Sequence, residues 1–326
     1  MSARRSFLQF SFFAAVAAAS CFATGVDGGL LALVPGDATV LSGVNVDSAK
    51  TSVYGRYMLS QMTVDDAGFQ KFIAETGFDP RRDLSQILSA TSGDTVSTKT
   101  VIVGRGTFNP GKIGNAAQAE GAKLVNYKGV DMVVHAGSDM TGALAFIDAT
   151  TAVMGYLDAV KLVIDRRGLT SAALPASVVA RITTLAAAND GWFLSTVSPA
   201  TFFAGKIDNP RVGPMLEAGL MQSVVSGSGG LKFTPAGATI GAQAVARSDK
   251  DATALADVVR FFVNIVQSSQ GTSAEAAKFS SLLDTLQLST AGATMSMVLN
   301  IPEATLEQMF MGTHKGAGSK RIAAVR

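Results

Sequence analysis

One cysteine, two histidines and one tryptophan in 326 residues leave little of the usual equipment for catalysis or metal binding. With Cys21 alone, no internal disulfide forms, and neither a Cys-based metal site nor a thiol nucleophile is available to the body of the chain. A histidine metal site would have to combine His135 with carboxylates, because His314 falls in the C-terminal tail. Charge is also scarce. Charged residues make up 16%, and once Arg4 and Arg5 are set aside 25 basic residues stand against 25 acidic ones. A body without net charge has no general attraction for nucleic acid. The apolar fraction of 48% excludes wholesale disorder and supplies a core without covalent staples.

What is present first is an export signal. Residues 1–23 carry Arg4 and Arg5, an apolar stretch from Phe7 to Ala19 and then small residues, the layout of a signal peptide. The apolar run is too short to span a bilayer comfortably. Arg4-Arg5-Ser6-Phe7-Leu8 resembles a twin-arginine signal, although general secretory signals also open on two basic residues. Cleavage after Ala19 or Ala23 gives an exported soluble body, periplasmic or extracellular. Ala18-Ala19-Ser20-Cys21 loosely resembles a lipoprotein box, which would place a lipid anchor on Cys21. No later segment is apolar for long enough to predict a second span.

The body reads as α+β: two similarly laid-out halves, 24–170 and 171–312, of mostly antiparallel sheet covered by helices, followed by a flexible basic tail, 313–326. After a glycine-rich joint (Gly25, Gly28, Gly29), the pattern predicts strands over 38–47, 99–107, 123–127, 130–135 and 143–148. Helices are predicted over 53–62, 69–76, 83–90, 151–167 and 174–188. Asn109-Pro110 marks a capped helix start, and Lys128-Gly129 a hairpin turn. In the second half, strands are expected at 192–197, 238–247 and around 295–301, with a helix capped by Ser248 and a last helix opened by Pro302. The strands near residues 39, 101 and 143 recur near 192, 240 and 293, a spacing that internal duplication would give.

Each candidate for chemistry has a plainer structural role. Gly106-Thr-Phe-Asn-Pro-Gly111-Lys112-Ile113 follows a strand and opens a helix as a phosphate loop does, with Asp148 as its acidic companion. Ile113 stands where the magnesium-binding hydroxyl belongs, and Pro110 removes a backbone donor. Ser226-Gly-Ser-Gly-Gly230 lacks the spacing of a nucleophile elbow and reads as a flexible turn. Glu303 and Glu307 share a helix face, but Glu303 suits the positive end of the helix dipole. Asp65-Asp66 and the stretch Asp79–Asp83 read as helix starts, with the Arg81-Arg82 pair as a weak anion candidate. No catalytic, cofactor or metal residue is assigned.

Leu33-Val-Pro-Gly-Asp-Ala38, Val44-Asn-Val-Asp47, Thr76-Gly-Phe-Asp-Pro-Arg81-Arg-Asp-Leu84, Arg105-Gly-Thr-Phe108 and Tyr127-Lys-Gly-Val130 together are similar to a group of uncharacterised exported bacterial proteins with a duplicated α+β body. The resemblance spans most of residues 30–312. It implies the fold and no activity, so no site residues transfer. The expected function is therefore non-catalytic binding or scaffolding in the periplasm or at the surface, toward a cell-envelope protein or a small ligand. An exported hydrolase using Ser, Asp or Lys groups is the alternative.

Overall fold

Short antiparallel connections govern the architecture. At Lys128-Gly129 both residues take positive φ (50° and 79°), the geometry of a tight hairpin turn whose twist matches its strands. The turn joins β4 (Lys123–Tyr127) to β5 (Val130–Ala136). The computed structural model describes residues 25–52, 55–56, 59, 67–93, 99–136, 141–198, 220–234, 237–268 and 282–306. Its strands, counted among those residues, are β1 (Val40–Asn45), β2 (Leu84–Ser92), β3 (Lys99–Gly106), β4, β5, β6 (Thr141–Asp148), β7 (Thr151–Tyr156), β8 (Gly191–Ser195), β9 (Val224–Thr234), β10 (Gly237–Ala246), β11 (Gln287–Ala291) and β12 (Thr294–Pro302). All join one antiparallel sheet in the order β11-β12-β10-β9-β8-β1-β2-β3-β7-β6-β5-β4. The fold is thus α+β with a large antiparallel sheet, and β1 pairing with β8 welds the strands of both halves together.

The helices are α1 (Gly28–Leu33), α2 (Val46–Thr51), α3 (Ala67–Thr76), α4 (Pro80–Asp83), α5 (Pro110–Ala119), α6 (Leu157–Asp165), α7 (Ala176–Ala188), α8 (Leu220–Ser223) and α9 (Asp249–Ser268). As expected, Asn109 caps α5, its side chain accepting from the Lys112 amide with Pro110 at the first position. Ser248 caps α9 and hydrogen-bonds Asp251.

Several expectations are corrected. Of the predicted helix 83–90, residues 84–90 are strand β2, because pairing with β1 and β3 outweighs an apolar spacing that fits either period. The predicted helix over 151–167 begins only at Leu157. Thr151–Tyr156 is β7, inserted between β3 and β6, and its inward Val153 falls in phase with Val160 and Ile164 of the helix that follows. Ser226–Gly230 is not a flexible turn but the middle of β9. There the glycines make room: a Cβ on Gly229 would lie 2.6 Å from the Phe193 ring, and one on Gly230 2.1 Å from Asn189. The joint at Gly28-Gly29 is helix α1, capped by Asp27, with Leu30, Leu31, Ala32, Leu33 and Val34 all buried. Strand β11 was not anticipated. The predicted helix 53–62 lies largely outside the described residues, as do Asp65-Asp66 and the tail.

Trp192, the single tryptophan, lies flat over Gly43 on the paired strand, and a Cβ there would meet its ring at 2.6 Å. Gly43→Ala is expected to displace the indole, costing about 1–3 kcal/mol by overpacking and shifting tryptophan emission to the red. Unchanged emission and melting temperature would contradict this contact.

Candidate interaction surface

The sheet's register divides its two faces into four quadrants. On the front face one cross-strand row runs Lys123, Val134, Ala143, Gly155, Val101, Ala90, Leu41, Leu194, Ser228, Gln243, Ser296, Ser289. It is apolar through the first half, where α1, α6 and α7 bury Leu30, Val160, Val163 and Ile182 against it. Beyond Leu194 it turns polar, and Gln243 and Ser289 are exposed.

The adjacent row on the back face runs Leu124, Val133, Leu144, Met154, Ile102, Ser89, Ser42, Phe193, Gly229, Ala242, Met297, Leu288. In the second half that face is covered. Leu255 and Ala256 of α9 pack with Met295 and Ala244, and Ala49 of α2, Leu282 and Leu306 pack with Phe233, Ile301 and Ile240. In the first half, α5 packs beside β4 and β5, and a run of rings (Phe72, Phe78, Phe108, Phe146; centroids 5.3–6.2 Å apart) meets the same face at Phe146, two residues along β6 from Leu144. The row itself stays partly open: Leu124 is 44% exposed, Met154 39% and, further along, Phe193 43%. A bare sheet face facing water normally carries polar side chains, as the bare front quadrant of the second half does. The partly open back quadrant of the first half does not.

The motifs singled out from the sequence are occupied by structural work. In the phosphate-loop candidate, Gly106, Thr107 and Phe108 donate their N–H groups to the carbonyls of Thr150, Asp83 and Ala149 at 2.8–3.0 Å. Lys112 and Ile113 donate theirs to Asn109. A cradle for phosphate needs those donors free. Ile113 is buried, and Asp148 accepts from the Thr150 amide and hydroxyl, both at 2.7 Å. Burial alone would raise the Asp148 carboxyl, but the Thr150 hydrogen bonds hold it below its ordinary value. Arg81 pairs with Asp79 and stacks over Phe69, while Arg82 pairs with Asp83. These hydrogen bonds draw both carboxyls down and leave the Arg81-Arg82 pair already matched to anions of its own. His135 is half-buried on β5 opposite Gly142. Glu303 is exposed. Arg4, Arg5, Cys21, Glu307 and His314 lie outside the described residues. Among the described residues no three His, Cys, Asp or Glu are grouped to hold a metal, and no helix is long and apolar enough to cross a membrane.

Two polar stations went unpredicted, one half-buried and one enclosed. Arg105 forms a two-pronged pair with Asp27, both contacts 3.0 Å, and also reaches Thr151. Gln86 accepts from the Asp27 amide at 2.8 Å. Burial would lift the Asp27 carboxyl, but Arg105 and the Leu30 amide pull it below its ordinary value. The second station is Asp190, wholly enclosed at the start of β8, accepting from Lys232 Nζ and the Phe233 amide, each at 2.7 Å. Burial pushes its carboxyl up, against the pull of those two donors. Both stations fasten elements together: α1 to β2 and β3, and β8 to β9.

No family model matches the chain, and neither does any curated protein. Among solved structures the chain is similar to TP0453. Crystal form III aligns over 86% of this chain and 96% of that one, at 8% identity and a TM-score of 0.49. Crystal form I aligns over 90% and 99%, at 10% identity and 0.48. Likeness at this distance carries neither a fold nor an activity across.

Proposed function

We propose that this chain is an exported, non-catalytic binding or scaffolding protein that works through the apolar back-face row of its first half. The observation that carries this reading is the contrast between the two less covered quadrants: one polar, the other bearing Leu124 and Met154, exposed, and Val133, Leu144 and Ile102, partly exposed. Exposed contiguous apolar surface on a soluble protein marks an interaction site. Asp27, Asp79, Asp83, Asp148 and Asp190 are taken up in ion pairs, caps and hydrogen bonds, which favours binding over hydrolysis.

In this reading residues 1–23 are an address label, cut before the folded body. It is supported by the position of Asp27, which only a few residues later caps α1, whose Leu30 to Leu33 are buried. The two halves are read as a duplication. What supports this is strand order outward from the β1–β8 pair: β1-β2-β3-β7-β6 on one side and β8-β9-β10-β12-β11 on the other, each with a helix after its third strand.

The apolar dye anilinonaphthalene sulfonate, titrated into purified protein, tests the surface. The wild type is expected to enhance its fluorescence, and the pair Leu124→Lys with Met154→Lys to lose more than half of that signal while keeping the wild-type circular dichroism. A wild-type protein without enhancement would overturn the reading.

A further inference from the structure

We infer that the occupant of the back-face row is a second copy of this chain, supplied through the outward ridge of α9. This rests on the reading of that row as a docking surface. The inward side of α9 is spent on its own sheet, where Ala252, Leu255 and Ala256 are buried. Its outward side carries Asp257, Arg260, Phe261, Asn264 and Ile265, all exposed. Their spacing of i, i+3, i+4, i+7 and i+8 forms one stripe along the helix. Phe261 is 53% exposed and Ile265 42%, an apolar ridge of the shape that fills a shallow sheet face.

Two further observations favour this match. The fold already uses this packing once, since α9 covers the same face of the sheet in the second half. One charge at each patch also has its opposite on the other, Asp131 on the row and Arg260 on the ridge. Asp131 shares the back face with Leu124 and Val133 and accepts from Asn126 at 2.8 Å. Among the described residues no Lys or Arg is paired with it. Arg260 stands next to Phe261 on the ridge, half-exposed and paired with Asp257 within its own helix. With the ridge of each copy on the row of the other, every contact is made twice about a two-fold axis, and the assembly closes as a dimer.

Sedimentation velocity over a wide concentration range, from micromolar upward, tests this on the purified protein. The wild type is expected to pass from monomer to dimer, and Phe261→Lys and Met154→Lys each to remain monomeric with unchanged melting temperatures. Asp131→Arg and Arg260→Glu are each expected to weaken dimerisation about tenfold, and the double reversal to recover most of that loss. A wild type that stays monomeric throughout would overturn the inference, and so would a dimer indifferent to Phe261→Lys. If the wild type is monomeric while dye binding still depends on Met154, self-association falls and the docking surface stands. If dye binding fails as well, both fall.

Discussion

Leu30→Asp is expected to leave the chain unfolded, and Leu30→Ala to cost about 2–5 kcal/mol, the range for emptying a well-packed core position. The short helix α1 has no exposed apolar face to spare: Leu30 and Ala32 are 0% accessible, and Leu31, Leu33 and Val34 nearly so. Its partners include Val101, Val103 and Val160, so it forms part of the same core as the sheet and α6. Six residues would not hold a helix alone. Asp27 caps this one and is itself clamped by Arg105. A chain beginning at Gly25 should therefore melt as the full-length chain does, whereas a chain beginning at Pro35 should give no cooperative transition. Thermal denaturation followed by circular dichroism checks both, and a cooperative melt for the shorter chain would contradict this role.

Asp190→Ala is expected to destabilise by an amount on the order of 3 kcal/mol, because it removes the buried carboxylate that accepts from the Phe233 amide and Lys232 Nζ. Asp190→Asn keeps an acceptor for that amide and should cost about 1 kcal/mol or less near neutral pH. The pH dependence separates the two stations. The Asp190 carboxyl is raised in the fold, so its contribution is fully present below the unfolded value and is lost as pH rises through the folded one. Stability of Asp190→Asn relative to wild type should therefore improve as pH increases through that range. Asp27, Asp79 and Asp83 are lowered, so what they contribute is present above the unfolded value and is lost in acid, as pH falls through their folded values. Urea midpoints measured across the acidic to neutral range test this. Parallel curves for wild type and Asp190→Asn would contradict the buried-carboxyl account.

Local features were legible in the sequence because their causes are local. Asn109-Pro110 and Ser248 start helices by capping, and Lys128-Gly129 turns because both residues tolerate positive φ. Segments decided by distant partners were not. In β2 and β7 the apolar spacing fits helix and strand alike, so the choice lay with β1, β3 and β6. α1 carries two glycines that weaken helix propensity, and it forms because a sheet far along the chain buries it. The candidate surface left a faint trace. Met132-Val133-Val134 and Ala143-Leu144-Ala145-Phe146 are apolar at every position, whereas β10 to β12 alternate with Thr, Gln, Ser and Asn. Such runs say that both faces of a strand are apolar. Only the register across all the strands tells which of those faces has been left without a cover.

Methionine oxidation read by mass spectrometry tests the central claim most directly, comparing Met154 in protein labelled inside intact cells with Met154 in dilute purified protein. If the back-face row is the working surface, Met154 is shielded in the cell and oxidised in dilution. Equal oxidation in both settings would contradict the account.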